Sequence, residues 1–203
     1  MADSAILPGL GVRLRGARVL LRPPAPLDVT PLVSFSRRNR VHLGPWNPAP
    51  TPETDTTSVT GASRVVANQR SAFREGRGYT FLVMLQQPTG RPRLIGRVSL
   101  NNVVRGAFWN AYLGYFLDGA MQGQGLTGEA IELVLGFAFE RVGLHRVQAA
   151  IMPRNARSLR VVEKLGFRRE GFAERYLQIA GKWEDHVLFA MTAEEHLSRQ
   201  AQA

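Results

Sequence analysis

A glycine-rich run stands between an apolar, aromatic-rich segment that ends at Leu117 and an amphipathic stretch that begins near Glu129. Its residues are Gln122, Gly123, Gln124, Gly125, Leu126, Thr127 and Gly128. The order predicts a strand, a tight turn and a helix start. Glycine lets the backbone turn sharply and approach a ligand, and the first N–H groups of a helix have no partner within it. Because such a terminus attracts anions, the run predicts a site for the pyrophosphate of a cofactor.

Two nucleotide-binding patterns can be compared with this run. A dinucleotide fingerprint has G-x-G-x-x-G early in a βαβ unit and an acidic residue about twenty positions further on. The run has that glycine spacing but lies past the middle of the chain, and Gly143 to Arg146 stand where the acid is needed. A Walker-type loop requires a lysine, and the only lysines, Lys164 and Lys182, are outside the run. Neither nucleotide pattern fits.

The elements that must position the run alternate between strands and helices. Strands are predicted at Arg18–Arg22, Tyr79–Leu85, Leu94–Leu100, Phe108–Leu117, Arg146–Ile151, Phe172–Ile179 and Trp183–Met191. Asp28 is predicted to cap a helix that runs to about Arg38. Further helices are predicted over Thr57–Glu75, from Glu129 to about Phe139, and from Asn155 to Lys164. A long loop is expected over Leu43–Thr57 and a hairpin turn over Gln87–Gly90. The mixture indicates an α/β or α+β domain with a largely antiparallel sheet.

Length and hydropathy limit the possible classes of protein. The chain has 203 residues, 44% of them hydrophobic, which is enough for one sizeable core. We expect one domain over residues 1–203 with a core of about 18–192. No segment approaches the roughly 20 apolar residues of a membrane span, and the first residues lack the basic start of a secretion signal. A cytoplasmic location without a membrane partner is therefore expected by elimination.

The chain contains no cysteine, which excludes disulfides, thiolate metal ligands and a cysteine nucleophile. Its histidines have no metal-ligand spacing, so no metal is expected; they are His42, His145, His186 and His196. The formal net charge of +10 would attract coenzyme A, ribosomal RNA or an acidic protein face. All but two of the 26 Lys and Arg residues are Arg, however, so genomic base composition and a solvated basic surface explain the charge equally well.

The glycine-rich run also fits the pattern [QR]-x-x-G-x-[GA], with Gln122, Gly125 and Thr127 at its defined positions. It resembles the coenzyme A loop of the GNAT superfamily of N-acetyltransferases, although Thr127 replaces the usual Gly or Ala. Five further motifs occur in the order and spacing of one branch: Asn102–Gly106, Tyr112–Tyr115, Asn155-x-x-Ser158, Glu163–Phe167 and Gly181-x-Trp183-x-Asp185-His186. Together they are similar to the RimJ-type ribosomal-protein-alanine N-acetyltransferases over roughly Arg18 to Thr192.

The resemblance implies a GNAT fold, in which helices flank a central, mostly antiparallel mixed sheet that splays beside the strand ending near Leu117. The pantetheine arm of acetyl-coenzyme A would enter there like an extra strand and pair with backbone groups of Tyr115, Phe116 and Leu117. The run from Gln122 to Gly128 would hold the pyrophosphate. Asn155 is explained either as a helix N-cap or as a contact to pantetheine. In the same pattern Ser158 faces the cofactor sulfur, where its hydroxyl would protonate the departing thiolate.

The implied reaction is direct attack of a neutral amine on the acetyl thioester. A peptide α-amine has a pKa of about 7.7–8.0 against about 10.4 for lysine, so a modest base or a water relay suffices for it. The possible bases are Glu170, Glu174, Asp185 and His186, which the sequence does not distinguish, and Glu174 is our working choice. The N–H of Leu117 is the candidate oxyanion donor. Three aromatic residues either line the acceptor slot or pack: Trp46, Tyr112 and Trp183.

Three functions remain open at this point. The resemblance implies acetylation of the N-terminal alanine of a small-subunit ribosomal protein. The cofactor motifs do not define the acceptor, so a small-molecule amine or an internal lysine is the second candidate. The third is a basic factor that binds the ribosome or its RNA and for which catalysis is secondary, as the net charge suggests.

Overall fold

The computed structural model describes residues 7–87, 89–90 and 92–201, so that Pro88 of the expected hairpin turn lies outside the described residues. The strands are β1 (Leu14–Arg15), β2 (Val19–Arg22), β3 (Tyr79–Leu85), β4 (Arg93–Val104), β5 (Asn110–Leu117), β6 (Arg146–Ile151), β7 (Arg168–Ile179) and β8 (Lys182–Thr192). The helices are α1 (Val29–Arg38), α2 (Arg40–Leu43), α3 (Val59–Arg74), α4 (Leu126–Gly136), α5 (Ala156–Lys164) and α6 (Ala193–Gln200).

The described strands form one eight-stranded sheet in the order β1-β2-β3-β4-β5-β6-β8-β7. Neighbouring strands are antiparallel except β5 and β6, which run parallel. The prediction of a mostly antiparallel mixed sheet flanked by helices is therefore confirmed. This parallel pair matters most for function, because β5 and β6 separate from each other along part of their length.

Strands β5 and β6 pair only over Asn110–Tyr112 and Arg146–Gln148. Both strands continue beyond these residues, β5 to Leu117 and β6 to Ile151, without pairing to each other. A wedge-shaped gap therefore opens inside the sheet and widens toward the glycine-rich run. The separation begins at Tyr112, five residues before the strand end that the sequence pointed to.

The two faces of the sheet are covered by different helices. Helix α4 packs its apolar face on one side, where its continuation at Phe137 lies edge-on to the rings of Tyr79 and Phe81 at 5.2 and 5.0 Å. Helices α1 and α3 cover the opposite side of β3 and β4 through a smaller cluster that includes Leu32 and Leu82. Burial of large apolar side chains on both faces, at about 1.5–3 kcal/mol each, holds the sheet rigid around the gap.

Asp28 does not cap helix α1 as expected. Its buried carboxylate instead accepts two hydrogen bonds from Arg22, both at 2.6 Å, and one from the N–H of Ala25 at 2.7 Å. The residue therefore ties the end of β2 to the start of α1. The expected long loop contains the short helix α2 and a 3-10 turn at Gly44–Trp46, and the sequence analysis missed β1 and α6.

No helix within the described ranges combines the length and the apolar character needed to cross a membrane.

Candidate active site

The glycine-rich run forms the turn and helix start that its composition predicts. Gly123 and Gly125 both have a φ of +74°, a left-handed conformation that other residues rarely adopt, and Gly125 is the N-cap of α4. Leu126, Thr127 and Gly128 follow as the first residues of the helix, so their N–H groups have no partner within it. A Cβ on Gly123 or Gly128 would meet no atom within 4 Å, so the run is open on the side of these two glycines. The geometry suits a diphosphate.

An acidic residue in the first turn of α4 is neutralised locally. The Glu129 carboxylate accepts hydrogen bonds from the N–H groups of Arg18 at 2.7 Å and Val19 at 3.2 Å, and from the Arg18 guanidinium at 2.9 Å. Burial raises the pKa of Glu129, but these hydrogen bonds outweigh burial and hold it below its usual range. The same guanidinium donates to the carbonyl oxygen of Gln124 at 2.7 Å. Arg18 therefore both fixes the turn and offsets the charge that would repel an anion.

The side chain of Gln122 connects three parts of the chain. Its amide lies 2.8 Å from Nε2 of His42 on α2, and its oxygen accepts a hydrogen bond from Arg157 on α5. The sequence analysis did not identify His42 or Arg157 as site residues, because they are 80 and 35 positions from Gln122 and no local pattern links them. The glycine-rich run is thus held in place by contacts from α2 and from α5.

Backbone groups of alternate β5 residues face the gap. The N–H of Arg146 donates to Trp109 at 3.1 Å on one side, while the N–H of Asp118 donates to Ile95 at 2.7 Å on the other. Because the directions alternate along a strand, residues 113, 115 and 117 face the gap and residue 116 faces β4.

This alternation bears on two of our expectations. The main-chain groups of Phe116 point toward its partner Arg97 on β4 rather than into the gap, which argues against their pairing with pantetheine. The last β5–β6 pair joins Tyr112 to Gln148, and in a parallel ladder this pair uses the N–H of Leu113. Tyr115 is therefore the first residue of β5 whose gap-facing N–H has no strand partner among the described residues. This N–H lies nearest the point where the two strands separate, here called the fork, and the N–H of Leu117 lies nearer the glycine-rich run.

Helix α5 forms the other wall of the gap. Asn155 is its N-cap, and its side-chain oxygen accepts the N–H of Ser158 at 3.2 Å. The hydroxyl of Tyr115 donates to the carbonyl oxygen of Ser158 at 3.2 Å. Burial raises the pKa of Tyr115 to about 12, so this hydroxyl keeps its proton at neutral pH. The cap explanation of Asn155 holds, and the residue also lines the cavity described next.

A cavity of about 1150 Å³ runs through the gap from the glycine-rich run to the β7–β8 hairpin. Most of the predicted site residues line it, namely Trp46, Tyr112, Tyr115, Phe116, Leu117, Gln122, Gly123, Gly125, Thr127, Gly128, Asn155 and Ser158.

Four predicted site residues do not line this cavity. The side chain of Leu126 is 2% exposed and belongs to the core. Gln124 accepts a hydrogen bond from Arg18 through its carbonyl oxygen. Glu174 is exposed on β7 and does not line the cavity, so its position gives no support to our choice of it as the base. Trp183 is 63% exposed on the hairpin, also outside the cavity.

Of the remaining candidate bases, His186 alone lines the cavity. The hydrogen bonds of Arg146 lower the pKa of Glu170 to about 2, so that carboxylate holds no proton at neutral pH. Asp185 accepts the N–H of Arg175 at 2.8 Å. His186 is 3% exposed, and its Nδ1 lies 3.0 Å from the carbonyl oxygen of Glu184. Since a carbonyl only accepts, Nδ1 carries the hydrogen and Nε2 is free to take a proton.

Two tyrosines complete this end of the cavity. Tyr176 lies with its ring centre 5.6 Å from that of His186, and both residues line the cavity with Tyr112. Burial, followed by the neighbouring hydroxyl of Tyr112, raises the pKa of Tyr176. The hydroxyl of Tyr176 therefore keeps its proton at neutral pH.

A family model described as "Acetyltransferase (GNAT) domain" matches residues 18–168 of the chain. The chain belongs to the GNAT acetyltransferase family. The protein is thus an acetyl-coenzyme A-dependent N-acetyltransferase, and the free N–H groups of the glycine-rich run and of the gap fit that cosubstrate.

Relatives in the GNAT family include proteins named for ribosomal acceptors. The [ribosomal protein uS5]-alanine N-acetyltransferase of Escherichia coli (strain K12) is 35% identical over 181 residues, which cover 89% of this chain and 91% of that protein. The ribosomal-protein-S5-alanine acetyltransferase of Vibrio fischeri has a crystal structure with a TM-score of 0.83, 30% identity and coverage of 91% of this chain and 98% of that one. The structure of Mycobacterium smegmatis RimJ in complex with CoA-disulfide has a TM-score of 0.80 and 31% identity, and the match covers 90% of this chain and 89% of that one.

Proposed function

We propose that the protein acetylates the α-amine at a protein N-terminus, and that its acceptor is the N-terminal alanine of a small-subunit ribosomal protein. Two relatives that match about nine-tenths of the chain carry this activity in their names, at 35% and 30% identity. The acceptor itself rests on these names and on the chemistry of the cavity.

The proposal is supported above all by the ionisable residues that line the cavity where the acceptor amine would lie. None of the described residues that line the cavity is Asp or Glu, and two imidazoles line it, those of His42 and His186. Nε2 of His42 is already bound to the amide of Gln122, so His186 is the proposed proton acceptor. A lysine amine, with an ordinary pKa of about 10.4, requires strong help to lose its proton, whereas an α-amine at about 7.7–8.0 is already partly neutral. An imidazole without a carboxylate therefore suits an α-amine.

The residues around the gap divide the reaction between them. The N–H groups of the glycine-rich run hold the diphosphate, and the main chain of Leu117 pairs with the arm. The N–H of Tyr115 donates to the carbonyl oxygen of the acetyl group, where negative charge develops. Nε2 of His186 takes the proton of the amine as the N–C bond forms. The hydroxyl of Ser158 supplies a proton to the sulfur as the C–S bond breaks. Ser158 then regains a proton from water, and His186 releases to water the proton that it took from the amine.

The acceptor chain enters between α2 and the β7–β8 hairpin. Trp46 lines this entrance, with the Arg154 guanidinium 4.9 Å from the centre of its ring, and Tyr112 lies at the fork. Both are proposed to contact the first residues of the acceptor. Trp183 is proposed to contact the body of the acceptor outside the cavity, because its exposed indole would gain burial there.

A contact with ribosomal RNA is also proposed, supported by the net charge of +10. Binding to purified small subunits would weaken steeply as salt rises if this contact exists. Binding that does not change with salt would remove RNA from the list of partners.

Matched peptides test the acceptor class. Each peptide carries an N-terminal alanine and one internal lysine, and a second version has its α-amine blocked. We expect acetylation of the free peptide at its first residue and no acetylation of the blocked one. Acetylation of the blocked peptide on lysine, at a rate equal to that of the free peptide, would overturn the proposal.

A further inference from the structure

Arg97 on β4 is a cation without a partner in the described part of the chain. Its Nε is buried and has no hydrogen-bond partner among the described residues. Burial lowers the pKa of Arg97 to about 10, so the guanidinium stays charged at neutral pH. The residue as a whole is half-buried, and a partly desolvated charge is costly unless something pairs with it.

The acids near Arg97 do not fill this need. None of the described residues lining the cavity is acidic, although Arg97 is one of those residues. Asp118, just beyond the end of β5, binds Arg38 at 2.8 Å and Arg93 at 3.1 Å. The ring of Phe116 lies against Arg97, with its centre 4.6 Å from the guanidinium carbon. A ring covers one face of a guanidinium but accepts none of its in-plane hydrogen bonds.

The position of Arg97 places it on the acceptor's path. It pairs with Phe116, two residues from Gly114, on the face of the sheet that also presents Ser99. A Cβ at Gly114 would lie 3.2 Å from Oγ of Ser99 and 3.0 Å from Nδ2 of Asn101, so only glycine leaves this spot free. Gly114 lies beside the fork, where the amine meets the acetyl group. Two strand residues span roughly 7 Å, which is also the reach of two residues of an extended peptide.

We propose that Arg97 binds a carboxylate on the acceptor, and that the enzyme therefore prefers N-termini with Asp or Glu at the second or third position. The proposal rests on the proposed function, because it assumes a peptide whose α-amine lies at the fork. Planar guanidinium groups bind carboxylates through two parallel hydrogen bonds, which would satisfy the groups that Phe116 leaves unpaired. Because none of the described residues lining the cavity is acidic, Arg97 also disfavours a cationic side chain at the same place.

Paired peptides test this inference. Each pair begins with alanine and carries Glu or Gln at position 2 or at position 3. With the unaltered enzyme we expect kcat/KM to be at least about tenfold higher for a Glu peptide than for its Gln partner, a difference of about 1.4 kcal/mol. Arg97→Gln should abolish the preference, and Arg97→Lys should retain part of it because a charge remains without the planar fork.

Arg93→Gln is the matched control, since Arg93 is on the same strand but pairs with Asp118 outside the cavity. It should keep the preference. Acetyl-coenzyme A is proposed to bind through main-chain N–H groups and not through Arg97, so calorimetry with it should give the same Kd for all four proteins and shows that the variants are folded. Equal kcat/KM for the Glu and Gln peptides with the unaltered enzyme would overturn the inference and leave the proposed function standing. Acetylation of neither peptide at its α-amine would overturn both.

Discussion

The hydroxyl of Tyr115 donates a hydrogen bond to the backbone carbonyl oxygen of Ser158 at 3.2 Å. The bond joins β5 at the fork to helix α5, across the gap in which the pantetheine arm is proposed to lie. It therefore fixes the N–H of Tyr115, the proposed oxyanion donor, relative to the hydroxyl of Ser158, the proposed proton donor to the sulfur.

Ser158→Ala should slow turnover without weakening cofactor binding. The hydroxyl is proposed to act on the departing sulfur, whereas the helix cap uses the main-chain N–H of residue 158, which the variant keeps. We expect kcat to fall by about 10² and the Kd of acetyl-coenzyme A to stay within about threefold. Steady-state kinetics and calorimetry measure both. Ser198→Ala, at an exposed serine on α6, should change neither, and an unaltered kcat in Ser158→Ala would remove the serine from the mechanism.

Gly125→Glu should abolish cofactor binding. The substitution places bulk and negative charge at the diphosphate and strains a residue whose φ is +74°. A left-handed non-glycine residue costs about 1–2 kcal/mol by itself, so a control must carry the same strain. Gly143→Glu is that control, because Gly143 has a φ of +73° in an exposed turn away from the cavity. We expect calorimetry to detect binding in Gly143→Glu only; equal Kd values would contradict the loop assignment.

His186→Gln should lower kcat by about 10² near neutral pH, the lower end of the usual effect of a general base. Raising the pH should restore part of the rate, because the α-amine then loses its proton without help. A pH–rate profile shows the rescue. His145→Gln is the control, since His145 is an exposed residue beside Glu194, at 3.4 Å, outside the cavity. A kcat within about twofold of the unaltered enzyme would assign the proton to water.

Glu170→Gln should affect stability and leave catalysis unchanged. The bond to Arg146 lowers the pKa of Glu170 to about 2 in the folded protein, below its usual 4.5. A lowered pKa stabilises the fold above the unfolded value and loses that effect as pH falls toward 2. The variant should therefore unfold more easily at pH 7, by roughly 0.5–1 kcal/mol, with the difference shrinking below about pH 4.5. Urea unfolding at several pH values measures it. A difference that grows on acidification would contradict the pairing.

Local patterns were sufficient for much of the fold. The strand Arg146–Ile151 has the predicted bounds, and Asn155 begins α5 as its N-cap, because alternation and capping are properties of neighbouring residues. Helix α6 also had a local signal that we missed, since Thr192 and Glu195 form a capping box.

The rest of the site depends on contacts that the sequence does not contain. His42 reaches Gln122 because its ring lies against Gly119, in the turn that precedes the glycine-rich run. Nothing in the sequence distinguishes Arg97 from the other arginines of a basic protein. The position of Glu174 outside the cavity could not be predicted, because the direction of a side chain near a strand irregularity, here between Ala173 and Leu177, does not follow simple alternation.

The most direct test of the central claim uses intact acceptors. Purified small-subunit ribosomal proteins are incubated with acetyl-coenzyme A and either the unaltered enzyme or Gly125→Glu, and fragment masses then locate the acetyl group. We predict one acetyl group on the first residue of an alanine-starting protein with the unaltered enzyme only. Acetyl groups found solely on lysine side chains would contradict the account.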